Sequence, residues 1–137
     1  MAEPFRHRLR VRYNECDPQN VVFNANYLTY FDITITELWR ELGGYEEMVG
    51  NGVDIVVAEA RVRFLGPLRF DDQFEVQAVI GRLGNTSITT NLTVVKGEQP
   101  VAEGEVRHVF IDTSEGGTAP IPDVVRSGLA RYVADLD

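Results

Sequence analysis

Hydrophobic and polar positions change period along this chain, and the changes mark out its elements. Residues 5–13 alternate strictly, with Phe5, His7, Leu9, Val11 and Tyr13 on one face and Arg6, Arg8, Arg10 and Arg12 on the other. Period two over such a run predicts a strand. Residues 14–24, rich in Asn and Asp with Pro18 among them, read as a loop. Over residues 25–42 the spacing lengthens: Leu28, Phe31, Ile35, Leu38, Trp39 and Leu42 recur every three or four positions, which predicts a helix with one apolar stripe. Asn24 or Asn26 is placed to cap its start, and Gly43-Gly44 to end it. The run Ile33-Thr34-Ile35-Thr36 has poor helix propensity, so burial has to hold this segment helical.

Four more alternating segments follow. Residues 53–65 set Ala58, Ala60, Val62 and Phe64 against Glu59, Arg61 and Arg63, and residues 74–80 set Phe74, Val76, Ala78 and Ile80 against Glu75 and Gln77. Residues 87–95 set Ile88, Leu92 and Val94 against Thr89, Asn91 and Thr93, and residues 101–111 set Ala102, Val106 and Phe110 against Glu103, Glu105 and Arg107. Gly66-Pro67, Gly84-Asn85 and residues 96–100 separate them with turn chemistry. A Gly- and Pro-rich tail occupies 112–122, and 124–133 suits a last short helix. The predicted order is strand, long helix, then four strands in meander. A sheet with one apolar face and a helix with one apolar stripe bury both by wrapping the sheet around the helix, an α+β architecture. The other sheet face, with its Thr, Glu and Arg rows, pairs across strands and meets solvent or another subunit. There is no repeat and no low-complexity tract, so residues 1–137 read as one domain.

Composition narrows the class. A chain of 137 residues, 44% hydrophobic and 25% charged, has the material for one ordinary globular core. Thirteen basic against twenty-one acidic residues give a net charge of −8, which argues against a nucleic-acid partner. Cys16 stands alone and cannot form an intramolecular disulfide. Residues 1–12 lack the continuous apolar stretch of a secretory signal, and no window approaches the roughly 18 apolar residues of a membrane span. The expected location is the cytoplasm, with no membrane partner.

The loop and the residues after it, Tyr13-Asn14-Glu15-Cys16-Asp17-Pro18-Gln19-Asn20-Val21-Val22-Phe23-Asn24-Ala25-Asn26-Tyr27-Leu28, resemble the signature of the hydroxybenzoyl-CoA thioesterase family of hotdog-fold proteins. That signature runs from an aspartate through a short turn to an apolar triplet and a helix start. The element order also matches the hotdog fold over nearly the whole chain, as a five-stranded antiparallel sheet around one long helix. Phe70-Asp71-Asp72 and the turn from Gly84 to Ser87 add to the likeness. The resemblance implies hydrolysis of acyl-CoA thioesters, with Asp17 as nucleophile or general base and the backbone N–H of Asn24 polarising the carbonyl. The chemistry suits the pattern: a carboxylate activates water or attacks, and unpaired N–H groups in a helix's first turn hold an oxyanion. Family members usually carry glycine three residues after the aspartate, where this chain has Asn20. Asparagine is the next residue most tolerant of the left-handed conformation, so the loop is expected to keep its geometry. The bland alternative for Asp17 is an Asx-turn ahead of Pro18.

Other residues carry weaker readings. Cys16 points away from Asp17 and reads as a small buried thiol. His7 and His108 fall on apolar strand faces and read as core or edge histidines; with no Cys/His cluster, no metal site is expected. Asp32 and Glu37 lie on the helix off its stripe, and Asp32 is within reach of an acyl group. The Arg6, Arg8, Arg10, Arg12 row faces outward toward the Glu rows. The resemblance places nucleotide contacts at the turn between the third and fourth strands, which here holds Arg82, Asn85, Thr86 and Ser87, with Arg63 and Arg69 as further cations. Tyr27 and the other helix aromatics read mainly as core, some of them lining an acyl tunnel. The resemblance also implies no metal or redox cofactor, and a homodimer with a continuous sheet and active sites at the subunit boundary. A dimer of dimers through the polar sheet face is a further expectation. Two alternatives remain, a hotdog module that binds acyl ligands without turnover and a thioesterase acting on acyl carrier protein.

Overall fold

The computed structural model describes residues 3–134. Strand β1 (Phe5–Arg10) leads through the loop and a 3-10 turn (Tyr13–Glu15) to helix α1 (Asn26–Leu42) and a short helix α2 (Tyr45–Gly50). Strands β2 (Val53–Phe64), β3 (Gln73–Leu83), β4 (Ser87–Lys96) and β5 (Gln99–Asp112) follow, and then α3 (Asp123–Leu129) runs into a 3-10 turn (Ala130–Tyr132). The alternation in β1 survives as predicted, with odd positions half-buried and the arginines exposed. α2 falls where the sequence suggested only an irregular stretch.

The five strands pair antiparallel throughout, in the order β1-β3-β4-β5-β2. The four-strand meander is therefore corrected to three strands, β3 to β5. β2 pairs with β5 at the far edge, and residues 65–72 carry the chain back beside β1. Burial drives that return: Leu68 in the linker is fully buried, and its carbonyl accepts the Val22 N–H at 2.8 Å. A central strand needs two apolar neighbours, and β2 is the strand whose residues are mostly exposed. The even alternation read for β2 is also broken, by a bulge between Val57 and Glu59. Ala58 drops out of the ladder there, so Val57 and Ala60, opposite His108 and Val106, face the helix.

The sheet wraps α1. Tyr27, Tyr30, Phe31, Thr34, Ile35 and Leu38 are its buried residues. The predicted stripe is shifted: Tyr27, Tyr30 and Thr34 join it, and Leu28 is 41% exposed. Thr34 satisfies its buried hydroxyl by donating to the Tyr30 carbonyl at 2.9 Å, the usual solution for a threonine inside a helix. Phe31 sits against β5 where Gly104 leaves room; a Cβ on Gly104 would lie 2.7 Å from the Phe31 ring. Neither asparagine caps α1. Ala25 is the N-cap without a side-chain bond, and Asn26 instead donates Nδ2 to the Glu15 carbonyl at 2.8 Å. Gly43 and Gly44 end the helix as read, both at positive φ.

The outer sheet face carries the expected cross-strand ion pairs. Glu75 takes Arg6 and Arg8, Glu105 takes Arg61, and Glu103 takes Arg63. No helix of the described residues is long and apolar enough to cross a membrane.

Candidate active site

The Asp17 loop is built almost entirely from backbone bonds. The Asp17 N–H donates to the Val21 carbonyl, the Asn20 N–H to the Asp17 carbonyl, and the Phe23 N–H to the Glu15 carbonyl, each at 2.9 Å. Closing so tight a turn requires a residue at positive φ, and Asn20 supplies it at φ 65. That is the conformation the sequence anticipated for asparagine in a glycine position. Isolated bridges from Cys16 to Val22 and from Val21 to Arg69 hold the loop's two limbs together and to the linker before β3.

Asp17 itself is half-buried. Its Oδ1 accepts the Gln19 N–H at 2.8 Å, so the Asx-turn is present. An Asx-turn engages one carboxylate oxygen and leaves the other free, and it fixes the carboxylate's direction. The loop delivers the chain to α1, whose first residue is Asn26, four residues after Val22. Among the described residues, the N–H groups of Asn24 and Ala25 donate to no backbone acceptor. Ala25 is the N-cap of α1 and Asn24 the residue before it, so both N–H groups stand at the positive end of the helix dipole, while the Asn26 and Tyr27 N–H groups donate back to the Phe23 and Asn24 carbonyls.

Glu15 was not singled out from the sequence, yet it locks this unit. Its carboxylate Oε1 accepts both the Arg12 N–H and the Tyr30 hydroxyl at 2.8 Å. Tyr30 is buried, and desolvation together with the Glu15 carboxylate pushes its pKa far above the usual phenol range. The hydroxyl therefore remains a donor. The signal for Glu15 is a tertiary contact across 15 residues, which no local motif reports.

The remaining candidates separate. Tyr27 is buried, packed edge-on against Tyr30 and Phe64 and bonded to the Leu68 backbone, with its pKa raised by burial. It supports the helix start from below. Asp32 lines a groove of about 220 Å³ with Leu28 and Ile35 of α1, Val57 and Ala60 of β2, and Val106 and His108 of β5. Arg82, Asn85, Thr86 and Ser87 lie at the other end of β3 from the Asp17 loop. Gln73, at the near end, pairs with Arg10, and the eleven residues of β3 span roughly 30 Å at the usual strand rise. The far turn is tied down by β5 and by the residues after it: Phe110 N–H donates to the Thr86 carbonyl, Ile121 N–H to that of Asn85, and Arg126 to that of Gly84. One protomer does not bring this turn to Asp17. Cys16 is half-buried rather than buried, and its thiol points to the Arg12 carbonyl, away from the carboxylate.

A five-stranded antiparallel sheet curled around one long helix is the hotdog fold of thioesterases. Residues 11–129 match the thioesterase-like superfamily. The acyl-CoA thioester hydrolase YbgC of Escherichia coli is 30% identical over 110 residues, 79% of this chain and 82% of that protein. The acyl-acyl carrier protein thioesterase ATL3 of Arabidopsis thaliana is 28% identical over 140 residues, covering 100% of this chain and 73% of that protein. A crystal structure of an Aquifex aeolicus protein superposes with a TM-score of 0.85 at 31% identity, over 92% of this chain and 99% of that one. The chain belongs to the thioesterase-like superfamily and is an enzyme of the thioester-hydrolase class.

Proposed function

We propose that this protein hydrolyses acyl-CoA thioesters to the free acid and CoA, with Asp17 as the catalytic carboxylate and the backbone N–H of Asn24 as oxyanion donor. The observation that carries this reading is a half-buried, directionally fixed carboxylate in the loop that leads to α1, together with the Asn24 and Ala25 N–H groups just ahead of the helix, which donate to no backbone acceptor. As general base, Asp17 takes a proton from water while the water oxygen bonds to the thioester carbonyl carbon. The carbonyl oxygen becomes an oxyanion facing the Asn24 N–H. Collapse breaks the C–S bond, and the CoA thiolate leaves and takes up a proton. As nucleophile, Asp17 would form an acyl anhydride that water then opens.

The reading includes a homodimer joined along β2. This edge is twelve residues long, and Val56, Val57 and Phe64 on it are 44%, 55% and 51% exposed. A long edge with exposed apolar side chains is the kind that pairs, whereas the short β1 edge carries an arginine at every other position. Antiparallel pairing of β2 with its copy about a two-fold axis reverses the partner's sheet. The partner's turn at residues 84–87 then faces the Asp17 end of this chain, which is how Arg82, Asn85, Thr86 and Ser87 come to serve the nucleotide. The polar outer face remains for a dimer of dimers, and a cytoplasmic location fits the composition.

Acyl carrier protein as thiol carrier is the second reading. The exposed aromatics Tyr13, Phe23 and Phe70 beside the loop favour a protein surface there. The net charge of −8 opposes an acidic carrier.

The test is thiol release from a panel of aryl- and alkyl-CoA esters and from acyl carrier protein thioesters, by wild type and Asp17→Asn. Loss of at least about 100-fold in kcat with ligand binding retained supports Asp17 as the catalytic group. Turnover surviving in Asp17→Asn moves the chemistry elsewhere, and tight binding with no turnover in wild type makes the protein a binding module.

A further inference from the structure

The arginines on the strands divide into two groups. Arg6 and Arg8 lie against Glu75, Arg10 against Asp71, Arg61 against Glu105 and Arg63 against Glu103. Arg82 on β3 and Arg107 on β5 form no ion pair with any of the described residues. These two stand in one cross-strand row: Arg82 is opposite Thr89 of β4, and Thr89 is opposite Arg107. Directly opposed residues of an antiparallel pair point to the same side of the sheet. Ile88, Thr90, Val106 and His108 on either side of the row are buried, so Arg82, Thr89 and Arg107 face outward. Ser87, two residues before Thr89, shares that face. Glu59 ends the row beyond Arg107 without an ion pair to it, and Glu105 in the next row is taken by Arg61.

The backbone is shaped to put Arg82 there. Along β3, Phe74, Val76, Ala78 and Ile80 are buried, so unbroken alternation would turn position 82 inward. The register slips between Ile80 and Arg82 instead, and Arg82 emerges exposed. The slip falls at Gly81, where a Cβ would run into the Asn91 side-chain amide. A bulge re-aims a side chain, and the one re-aimed here is the guanidinium at the end of the row. Only the Leu83–Ile88 pair separates the row from its hairpin turn, which the Gly84 N–H closes by donating to the Ser87 carbonyl at 2.9 Å.

We propose that Arg82, Thr89 and Arg107 form a binding site for a phosphomonoester on the outer face of the sheet, the face turned away from α1. Two strand spacings, about 10 Å, separate the two arginine backbones, so a group centred over Thr89 is within reach of both guanidiniums. A phosphomonoester offers a double charge and three terminal oxygens, enough for both arginine forks and the Thr89 hydroxyl. A carboxylate, with one charge and two oxygens, answers one fork. In a chain of net charge −8, an anion needs local cations whose charge is not already cancelled, and the row supplies two. Two sources carry the group. One is the 3′-phosphate on the ribose of a CoA ester, which rests on the hydrolase reading above. The other is a free phosphorylated metabolite bound independently of turnover.

The experiment is calorimetric binding of CoA, dephospho-CoA and inorganic phosphate to wild type, Arg107→Gln, Arg82→Gln and Arg6→Gln, with circular dichroism confirming each fold. CoA and dephospho-CoA differ only in the 3′-phosphate. With that phosphate as occupant, wild type binds CoA about tenfold tighter than dephospho-CoA, the size of one charged hydrogen bond. Arg107→Gln should bring the two within about twofold, and Arg82→Gln repeats the test from the other end of the row. Arg6→Gln removes an arginine already held by Glu75 and should keep the preference. With a free phosphorylated compound as occupant, CoA and dephospho-CoA bind alike, while inorganic phosphate binds wild type and loses about tenfold in affinity in the row variants. Equal affinities for the two CoA forms together with no phosphate binding overturn the inference. A preference or phosphate affinity unchanged in folded Arg107→Gln overturns it too, as does an equal loss in Arg6→Gln, which would reduce the effect to net charge. Every readout is binding, so failure here is distinct from failure of thiol release. Where neither CoA form binds, the phosphate titration alone decides.

Discussion

The Tyr30 hydroxyl donates to the Glu15 carboxylate at 2.8 Å, joining the buried face of α1 to the 3-10 turn that precedes Asp17. The same carboxylate oxygen accepts the Arg12 N–H, and the Glu15 carbonyl accepts both the Phe23 N–H and Asn26 Nδ2. One residue thus ties the end of β1, the loop and the helix start into a single unit. The relative placement of Asp17 and the Asn24 N–H depends on it.

Tyr30→Phe removes only the hydroxyl of this link. Bonds to charged groups are worth more than neutral ones, but Glu15 is half-buried and regains some water, so a loss of about 1–2 kcal/mol is expected. Urea denaturation measures it. A severalfold fall in kcat/KM with little change in the far-UV spectrum should accompany it, because a misplaced catalytic group loses rate faster than a fold loses stability.

Asn20 tests the loop backbone by itself, because its side chain is exposed and its φ is 65. Asn20→Ala puts a Cβ into the left-handed region and should destabilise by about 1 kcal/mol, whereas Asn20→Gly should stay within about 0.5 kcal/mol of wild type. Thermal denaturation of the two variants checks this. Equal melting temperatures for Ala and Gly would mean that the loop relaxes to another conformation.

Gly104→Ala places a methyl group against the Phe31 ring and the backbone of β2. Overpacking a close contact of this kind should destabilise by about 1–3 kcal/mol. The accompanying Phe31→Leu change should recover part of the loss, a coupling that a double-mutant cycle in denaturant would measure.

His108 should leave a signature in the pH dependence of stability. Desolvation holds its pKa below the ordinary value of 6.5, with Asp32 pulling the other way. The unfolded chain therefore takes up a proton near pH 6.5 that the folded protein resists. The contribution is fully present above pH 6.5 and is lost as pH falls from there through the lowered folded-state pKa. Denaturation midpoints followed downward from pH 7 should fall more steeply for wild type than for His108→Gln; parallel curves would contradict it.

Much of the architecture is legible in the chain itself. Period-two runs located all five strands, and the three-to-four spacing located α1 to within a residue of its start, because these periods are properties of the backbone that any buried face must respect. The loop was legible for the same local reason: Asn20 can hold a left-handed φ, and the bonds that close the turn lie within a few residues. Strand order was not legible. The sequence says that β2 is a strand, but whether it joins β3 or crosses to β5 depends on what residues 65–72 bury, and Leu68 decides that only once α1 and the loop are in place. The exposure of Leu28 and the bulge over His108 have the same origin. An apolar residue on a helix reads as core until the neighbouring strand bends away and leaves a groove, as beside Leu28, whereas His108 is buried as its strand face predicts. Local periodicity assigned each residue a face; three-dimensional packing alone decided which faces meet, because contacts between distant segments are paid for by burial that no single segment contains.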